Sequence, residues 1–228
     1  MRDSDEPLAF DPLADSPGLE IVDRIEQERC VCRTEGPVSP EPATGERFHF
    51  PIDHAVEITT SSLALPNVAG ILVRNEAGEI VGQIQQLESE RLEAGRYNLE
   101  LLTQFKTYLS VESEVNVIAN GTEFRIEFGD PTAVALGARS NHERPAATVR
   151  TTADPVDLMA AVETFSSALK TTKPDRAFPS LRGHPPSVEL ADSLDVPDGI
   201  ERPETGITLE LPARRDAVYV AAPLSYYL

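Results

Sequence analysis

The chain predicts an α+β protein: an antiparallel β-sandwich or barrel followed by an incomplete α/β region with one strong amphipathic helix. Three observations carry that expectation. From Arg47 to Ser140 the apolar residues fall in short period-two runs, FHFPID, HAVEITT, GILVRN, EIVGQI, RYNLELL, TYLSVES, VNVIAN, TEFRIEF and AVALGA. Alternation of this kind places one face of a strand in a core and the other in water. Turn residues punctuate the runs, and after Ser140 the period lengthens to that of a helix.

In chain order, residues 1 to about 20 are acidic and carry Pro7, Pro12 and Pro17, which predicts an extended or disordered lead-in. Residues 21–29 fit a short helix, while residues 21–32, IVDRIEQERCVC, also alternate as a strand does. Residues 34–46, TEGPVSPEPATGE, have the Pro and Gly content of a linker. The expected organisation is therefore a lead-in and linker over 1–46, a β-sandwich domain over 47–140, and the start of an α/β domain over 141–228. Asn120-Gly121 and the Asn75–Gly78 stretch mark two hairpins, because Asn and Gly accept the positive φ that tight turns demand. LESERLEAG, residues 87–95, reads as a loop or one helical turn.

The helix is expected to begin after Asp154, an N-cap residue, with Pro155 at the first helical position and Asp157 in the first turn. Leu158, Ala161, Val162, Phe165, Ala168 and Leu169 recur at three- and four-residue spacing and define its apolar face. Lys170 falls in the last turn and Pro174 ends any continuation. Around it, AATVRTT, ITLELPA and AVYVAA read as strands, SVELADSL reads as a strand passing into a helical turn, and Pro223 opens LSYYL as the start of a final helix. A chain stopping within that helix suggests a piece of a longer protein.

Charge narrows the setting. The chain has a formal net charge of -18, with 38 acidic residues against 20 basic ones. Lysine contributes only Lys106, Lys170 and Lys173. Abundant carboxylate with little lysine keeps a protein hydrated where salt is very high, and that salt screens its self-repulsion. The composition therefore points to a halophile's cytoplasmic protein. No signal peptide is visible, and no apolar run is long enough to span a membrane, so no membrane partner is expected. Cys30 and Cys32 are too few for a disulfide framework or a four-ligand zinc site, so they read as free thiols with no metal and no cofactor.

One segment runs against the acidic background. Lys170, Lys173, Arg176 and Arg182 lie with His184 in a short Pro-rich stretch opposed by Asp175 alone. Clustered cations of this kind hold phosphate or carboxylate, and Arg can do so with two parallel hydrogen bonds. These five residues form the candidate anion-binding site. Arg139, His142, Arg144 and Arg150 could converge on the same surface. The bland alternative is that they cap the helix C-terminus and pair with nearby carboxylates. A small anion or a nucleotide suits the segment better than nucleic acid, since multi-cation contacts weaken steeply as salt rises. No phosphate loop, nucleophile elbow or zinc-protease motif occurs. Catalysis has only unassigned candidates: His184 as a general acid or base, and Ser140, Ser166 or Ser180 as a nucleophile. The expected function is a binding or regulatory module that contacts an anionic ligand. The alternative is the N-terminal part of a hydrolase completed beyond Leu228.

The phrase from Ser167 to Pro186, together with the ending PLSYYL, resembles a family of haloarchaeal proteins to which no activity is assigned. The resemblance covers most of the chain after Arg33. It implies a high-salt origin and a C-terminal continuation, and nothing about chemistry.

Overall fold

The computed structural model describes residues 7–200 and 202–228. Two compact units divide at Ser140, one over residues 7–140 and the other over the described residues from Asn141 onward.

Among the described residues, the first unit is one antiparallel sheet. Its strands are β1 (Leu8–Pro12), β2 (Gly18–Asp23), β3 (Glu28–Thr34), β4 (Glu41–Pro42), β5 (His54–Pro66), β6 (Ile71–Arg74), β7 (Ile80–Ile84), β8 (Ser89–Leu102), β9 (Lys106–Ala119) and β10 (Glu123–Arg139). The hydrogen-bonded order is β1-β2-β3-β5-β10-β9-β8-β6-β7, with β4 paired to β5. That path is open at β1 and β7. One buried cluster nevertheless draws on both ends of it, joining Leu8, Phe10, Leu19 and Ile21 to Ile71, Val73, Leu99 and Leu101.

The expected lead-in and linker require correction over residues 7–46, which belong to the first unit, while residues 1–6 lie outside the described residues. Residues 8–34 form the first three strands of the sheet, because Leu8, Leu19, Ile21, Cys30 and Cys32 all point into its core. The 21–32 ambiguity resolves as two strands joined by a turn at Arg24–Gln27. Asp23 is fully buried there, and its Oδ1 accepts from the N–H groups of Ile25 (3.0 Å) and Glu26 (3.1 Å). Gly18, at φ +131°, sits so close to the Cys32 carbonyl that a Cβ would collide with it. Composition suggested disorder in this stretch, but a few well-placed apolar residues supply the burial that orders it.

Two further segments differ from expectation. LESERLEAG is the first half of β8, paired with β9 from Ser89↔Ile118 onward with an irregularity between Leu92 and Gly95. FHFPID is no strand: Gly45–Arg47 make one 3-10 turn, and the chain to Asp53 crosses a sheet face. Phe48, Phe50 and Ile52 pack there against Ala55, Tyr108 and Ala135. Gly137 makes room for them, since a Cβ on it would lie 2.8 Å from Phe48 Cζ. Both hairpins form where expected. Asn120 Oδ1 accepts from the N–H groups of Thr122 and Glu123, each at 3.0 Å, with Gly121 at φ +87°. Asn75 Oδ1 takes the Glu79 N–H at 3.0 Å, with Gly78 at φ +84°.

The second unit contains β11 (Thr148–Thr151), α1 (Pro155–Glu163), β12 (Ser187–Leu190) and α2 (Arg215–Ser225). β11 and β12 pair in parallel, in register Thr148↔Ser187, so α1 and the basic segment form the crossover between them. Asp154 caps α1 as expected: its Oδ1 accepts from the Val156 N–H at 2.8 Å. α1 then tightens into a 3-10 turn over Thr164–Ala168. Thr164 Oγ1, fully buried, donates to the Ala161 carbonyl at 2.6 Å.

The expected strands ITLELPA and AVYVAA are corrected. Residues 207–213 form no regular element, and 217–222 belong to α2, so the last helix starts at Arg215 and not at Pro223. Val218 and Ala221 are buried, with Ala222 and Ser225 half-buried, which is the three-and-four spacing of a helix face. The molecule is thus β-rich α+β, as the alternating runs predicted.

Candidate functional site

The basic segment folds as a chain of tight turns. Leu169 bridges to Arg182, the Lys170 N–H donates to the Leu181 carbonyl at 2.9 Å, and the Gly183 N–H donates to the Ala168 carbonyl at 2.6 Å. Pro174–Ala177 and Pro179–Leu181 form 3-10 turns within that closed loop. Pro at the first position of each turn presets φ and gives up an N–H that would be unused.

The five predicted residues fare differently. Arg182 is the centre of the arrangement. Its guanidinium carbon lies 4.3 Å from the Tyr227 ring centroid and 5.4 Å from that of Tyr226, so the cation rests on two aromatic faces. Its Nη2 makes one long contact to the Ala177 carbonyl, 3.4 Å. Its Nε and Nη1 are buried with no hydrogen-bond partner among the described residues. Lys170 Nζ lies 3.0 Å from His142 Nδ1. An ammonium has only protons to give, so this ring nitrogen acts as acceptor. His142 is buried, in a left-handed conformation at φ +55°, with its carbonyl taking the His184 N–H at 2.5 Å. Gly183 is obligatory beside it, because a Cβ there would lie 2.5 Å from His142 Cβ. The Tyr226 hydroxyl closes the group on the Gly183 carbonyl at 2.9 Å.

Lys173 is exposed before the first 3-10 turn, and Arg176 is half-buried within it. Among the described residues neither makes a hydrogen bond, ion pair or ring contact with Arg182. His184 is exposed, and its Nδ1 faces the Pro185 carbonyl at 2.6 Å. Of the flanking candidates, Arg150 pairs with Asp195 at 3.7 Å. Arg139 belongs to the first unit, where it donates to the Pro51 carbonyl at 3.2 Å. Ser166 donates to the Glu163 carbonyl at 2.9 Å. Sequence reasoning placed Tyr226 and Tyr227 in a helix start and so missed them as partners of Arg182.

A second locus was missed altogether, on the sheet face that the 44–53 segment crosses. The register Arg96↔Glu112, Asn98↔Ser110 and Glu100↔Tyr108 sets six polar side chains in two adjacent rows on β8 and β9. Toward one end, Glu100 stands between Lys106 Nζ at 3.0 Å and Arg74 Nη2 at 3.9 Å. Arg74 also stacks on Phe50, 5.0 Å from its centroid, and Phe50 stacks on Tyr108 at 5.5 Å. Burial, opposed by Arg139 and Arg74 and aided by Glu100, pushes the Tyr108 phenol up to about 12.

Toward the other end the face opens as a cleft of about 570 Å³. Its floor is Asn98 and Ser110, its rim is Glu46, Arg47 and His49 on one side, and Glu76, Arg96 and Glu112 close the other. Arg96 bonds Glu76 at 3.1 Å and Glu112 at 3.0 Å, and Arg47 bonds Glu57. Asn98 is 6% exposed, and its Oδ1 is buried with no hydrogen-bond partner among the described residues. A comparable cleft of about 580 Å³ lies by Arg33, Glu35, Ser61, Arg125 and Glu127, and it has no such orphaned group.

Elsewhere, Cys30 and Cys32 are buried free thiols on one face of β3. The hydrogen bond between them lowers Cys30 despite its burial, while that bond and burial raise Cys32. No group of three or more His, Cys, Asp or Glu placed to hold a metal occurs among the described residues. No helix there is long and apolar enough to cross a membrane.

The fold and these two loci define a β-rich α+β protein with a stacked arginine in one unit and a polar cleft in the other. Comparison with family models, curated proteins and solved structures gives no match for this chain.

Proposed function

We propose that the chain is a binding module whose Asn141–Leu228 unit holds a small anion at Arg182. The observation that carries this reading is the pair of buried, unpartnered N–H groups on Arg182, Nε and Nη1. A buried donor without an acceptor is costly, and a charged one more so. Tyr226 and Tyr227 hold the guanidinium by their rings and take none of its N–H groups, which suit phosphate or carboxylate. Lys170, fixed against His142, supplies a second charge in the closed loop. Lys173, Arg176 and His184 form an outer set that a larger anion such as a nucleotide would reach.

The same reading takes the first unit as a β-sandwich, supported by the single buried cluster shared between the two ends of the open sheet. It takes the protein as cytoplasmic and adapted to high salt, supported by the charge of -18 and the scarcity of lysine.

The test titrates inorganic phosphate, pyrophosphate and AMP into the full chain and follows the Arg182 side-chain resonances together with the backbone amides of Gly183 and Tyr227, which remain in the Arg182 variants. Arg182→Gln should weaken binding by roughly tenfold to a hundredfold, the value of one charge-assisted contact of about 1.5–3 kcal/mol. Arg182→Lys should recover little, because the planar fork is lost. Arg176→Gln combined with Arg182→Gln should abolish it. Affinity unchanged in Arg182→Gln, or no saturable binding of any of the three by the unaltered chain, would assign the arginine to packing on Tyr227.

A further inference from the structure

We infer that the cleft between residues 44–49 and strands β8 and β9 is a binding site for a neutral polyhydroxylated ligand of the saccharide class. The inference is independent of the anion reading, since the cleft belongs to the Pro7–Ser140 unit and Arg182 does not.

The floor carries an unmet hydrogen-bond acceptor. Asn98 is 6% exposed and Ser110 is 3% exposed, directly opposite one another across the β8–β9 ladder. Both line the cleft, and Asn98 Oδ1 has no hydrogen-bond partner among the described residues. Alternate residues of the same strands, Leu99, Leu109 and Val111, fill the core on the opposite face. Packing could have been served there by an apolar side chain at 98. A buried amide whose oxygen meets no donor needs one from a ligand.

The rim decides the class. An anion would need unused cations, but Arg96 is already held by Glu76 and Glu112, and Arg47 by Glu57. A cation would need unused carboxylates, and two of the three in the cleft are committed to Arg96. Ion pairs that are internally neutral still offer oriented donors and acceptors. The Arg96–Glu112 pair presents N–H and carboxylate oxygen side by side, which matches the alternating donor and acceptor of vicinal hydroxyls. A hydroxyl both donates and accepts, so it satisfies the Asn98 amide and the Ser110 hydroxyl together. A cleft of about 570 Å³ falls within the span of ligand pockets, roughly 300–1,000 Å³, and has room for one or two sugar rings.

The experiment uses the full chain, isotope-labelled, with the Asn98 side-chain amide and the backbone amides of Ser110 and Glu112 as reporters, the backbone amides serving for the Asn98 variant. Methyl glycosides of glucose, galactose and mannose, and the disaccharides maltose, trehalose and sucrose, are titrated to about 100 mM, well above a millimolar Kd. At least one should shift the Asn98 amide saturably. Asn98→Leu and Glu112→Gln should each weaken that ligand at least tenfold, while Arg182→Gln leaves it unchanged. If Asn98→Leu fails to fold, Glu112→Gln and Ser110→Ala carry the comparison. No saturable shift from any of the six sugars overturns the inference. So does an affinity that Glu112→Gln and Ser110→Ala both leave intact. Inorganic phosphate that shifts the Asn98 amide in place of the sugars overturns the ligand class.

Discussion

Single residues in this protein show their roles through the company they keep across a sheet or a turn. Tyr108 is the clearest. Its phenol is pushed up to about 12 chiefly by burial. Its ordinary value is about 10, so the fold favours the neutral phenol, and that stability is fully present below about pH 10 and lost as pH rises toward 12. In an alkaline titration followed by tyrosinate absorbance, Tyr108→Phe should remove a late step near pH 12. A titration in which Tyr108→Phe removes an early step would place its ring in water. The row that surrounds Tyr108 was legible in part. RYNLELL and TYLSVES show alternation, and so imply that Arg96, Asn98 and Glu100 share one face and Tyr108, Ser110 and Glu112 another. What the sequence could not show is register: only the pairing Asn98↔Ser110 makes the two faces one face. Arg182 was legible as a cation and not as a stacked one, because its aromatic partners lie 44 and 45 positions further along the chain.

Elements were read well where several local signals agreed and poorly where one signal stood alone. α1 had a cap, a first-turn proline and a periodic apolar face, and it forms at Pro155–Glu163. Asp154→Ala should therefore cost about 1 kcal/mol, and Asp154→Ser should restore most of it, as read by thermal melts of the three proteins. Equal melting of all three would mean that packing under Leu158 and Ala161 sets that helix start. α2 had only an apolar run, AVYVAA, which fits a strand and a short helix equally. The deciding fact is tertiary: Arg215 Nε reaches the Ala153 carbonyl at 2.8 Å, and Tyr226 reaches Gly183 at 2.9 Å, tying both ends of a helix to other segments. FHFPID failed in the opposite sense. Its phenylalanines alternate like a strand's, yet they are the cover of a sheet face whose far side was already filled. The 8–34 strands were hidden because acidic residues and prolines dominate the composition, while register with β5 at Arg33↔Ala64 is set by residues far along the chain.

For the molecule as a whole the governing quantity is the charge of -18. Its surface ion pairs are exposed, Arg91–Glu114 with side chains 71% and 50% accessible being typical. Such pairs contribute about 0–1 kcal/mol each and are weakened by salt. Against them stands the mutual repulsion of the carboxylates left over, which acts across the surface and is relieved by the same salt. The Debye length falls from about 30 Å at 0.01 M to about 3 Å at 1 M, so molar KCl removes most repulsion beyond nearest neighbours. With 38 acidic residues against 20 basic ones, carboxylates exceed the cations that could pair with them by 18, the formal net charge of -18. The melting temperature should therefore climb as KCl is raised from about 0.01 M to 1 M, steeply at first and then flattening as screening saturates. Replacing KCl by an uncharged osmolyte of equal osmolality should not reproduce the initial rise, which separates screening from exclusion at the surface. A melting temperature that is flat or falls over the first decade of salt would show that the ion pairs outweigh the repulsion, and the high-salt reading would be lost with it.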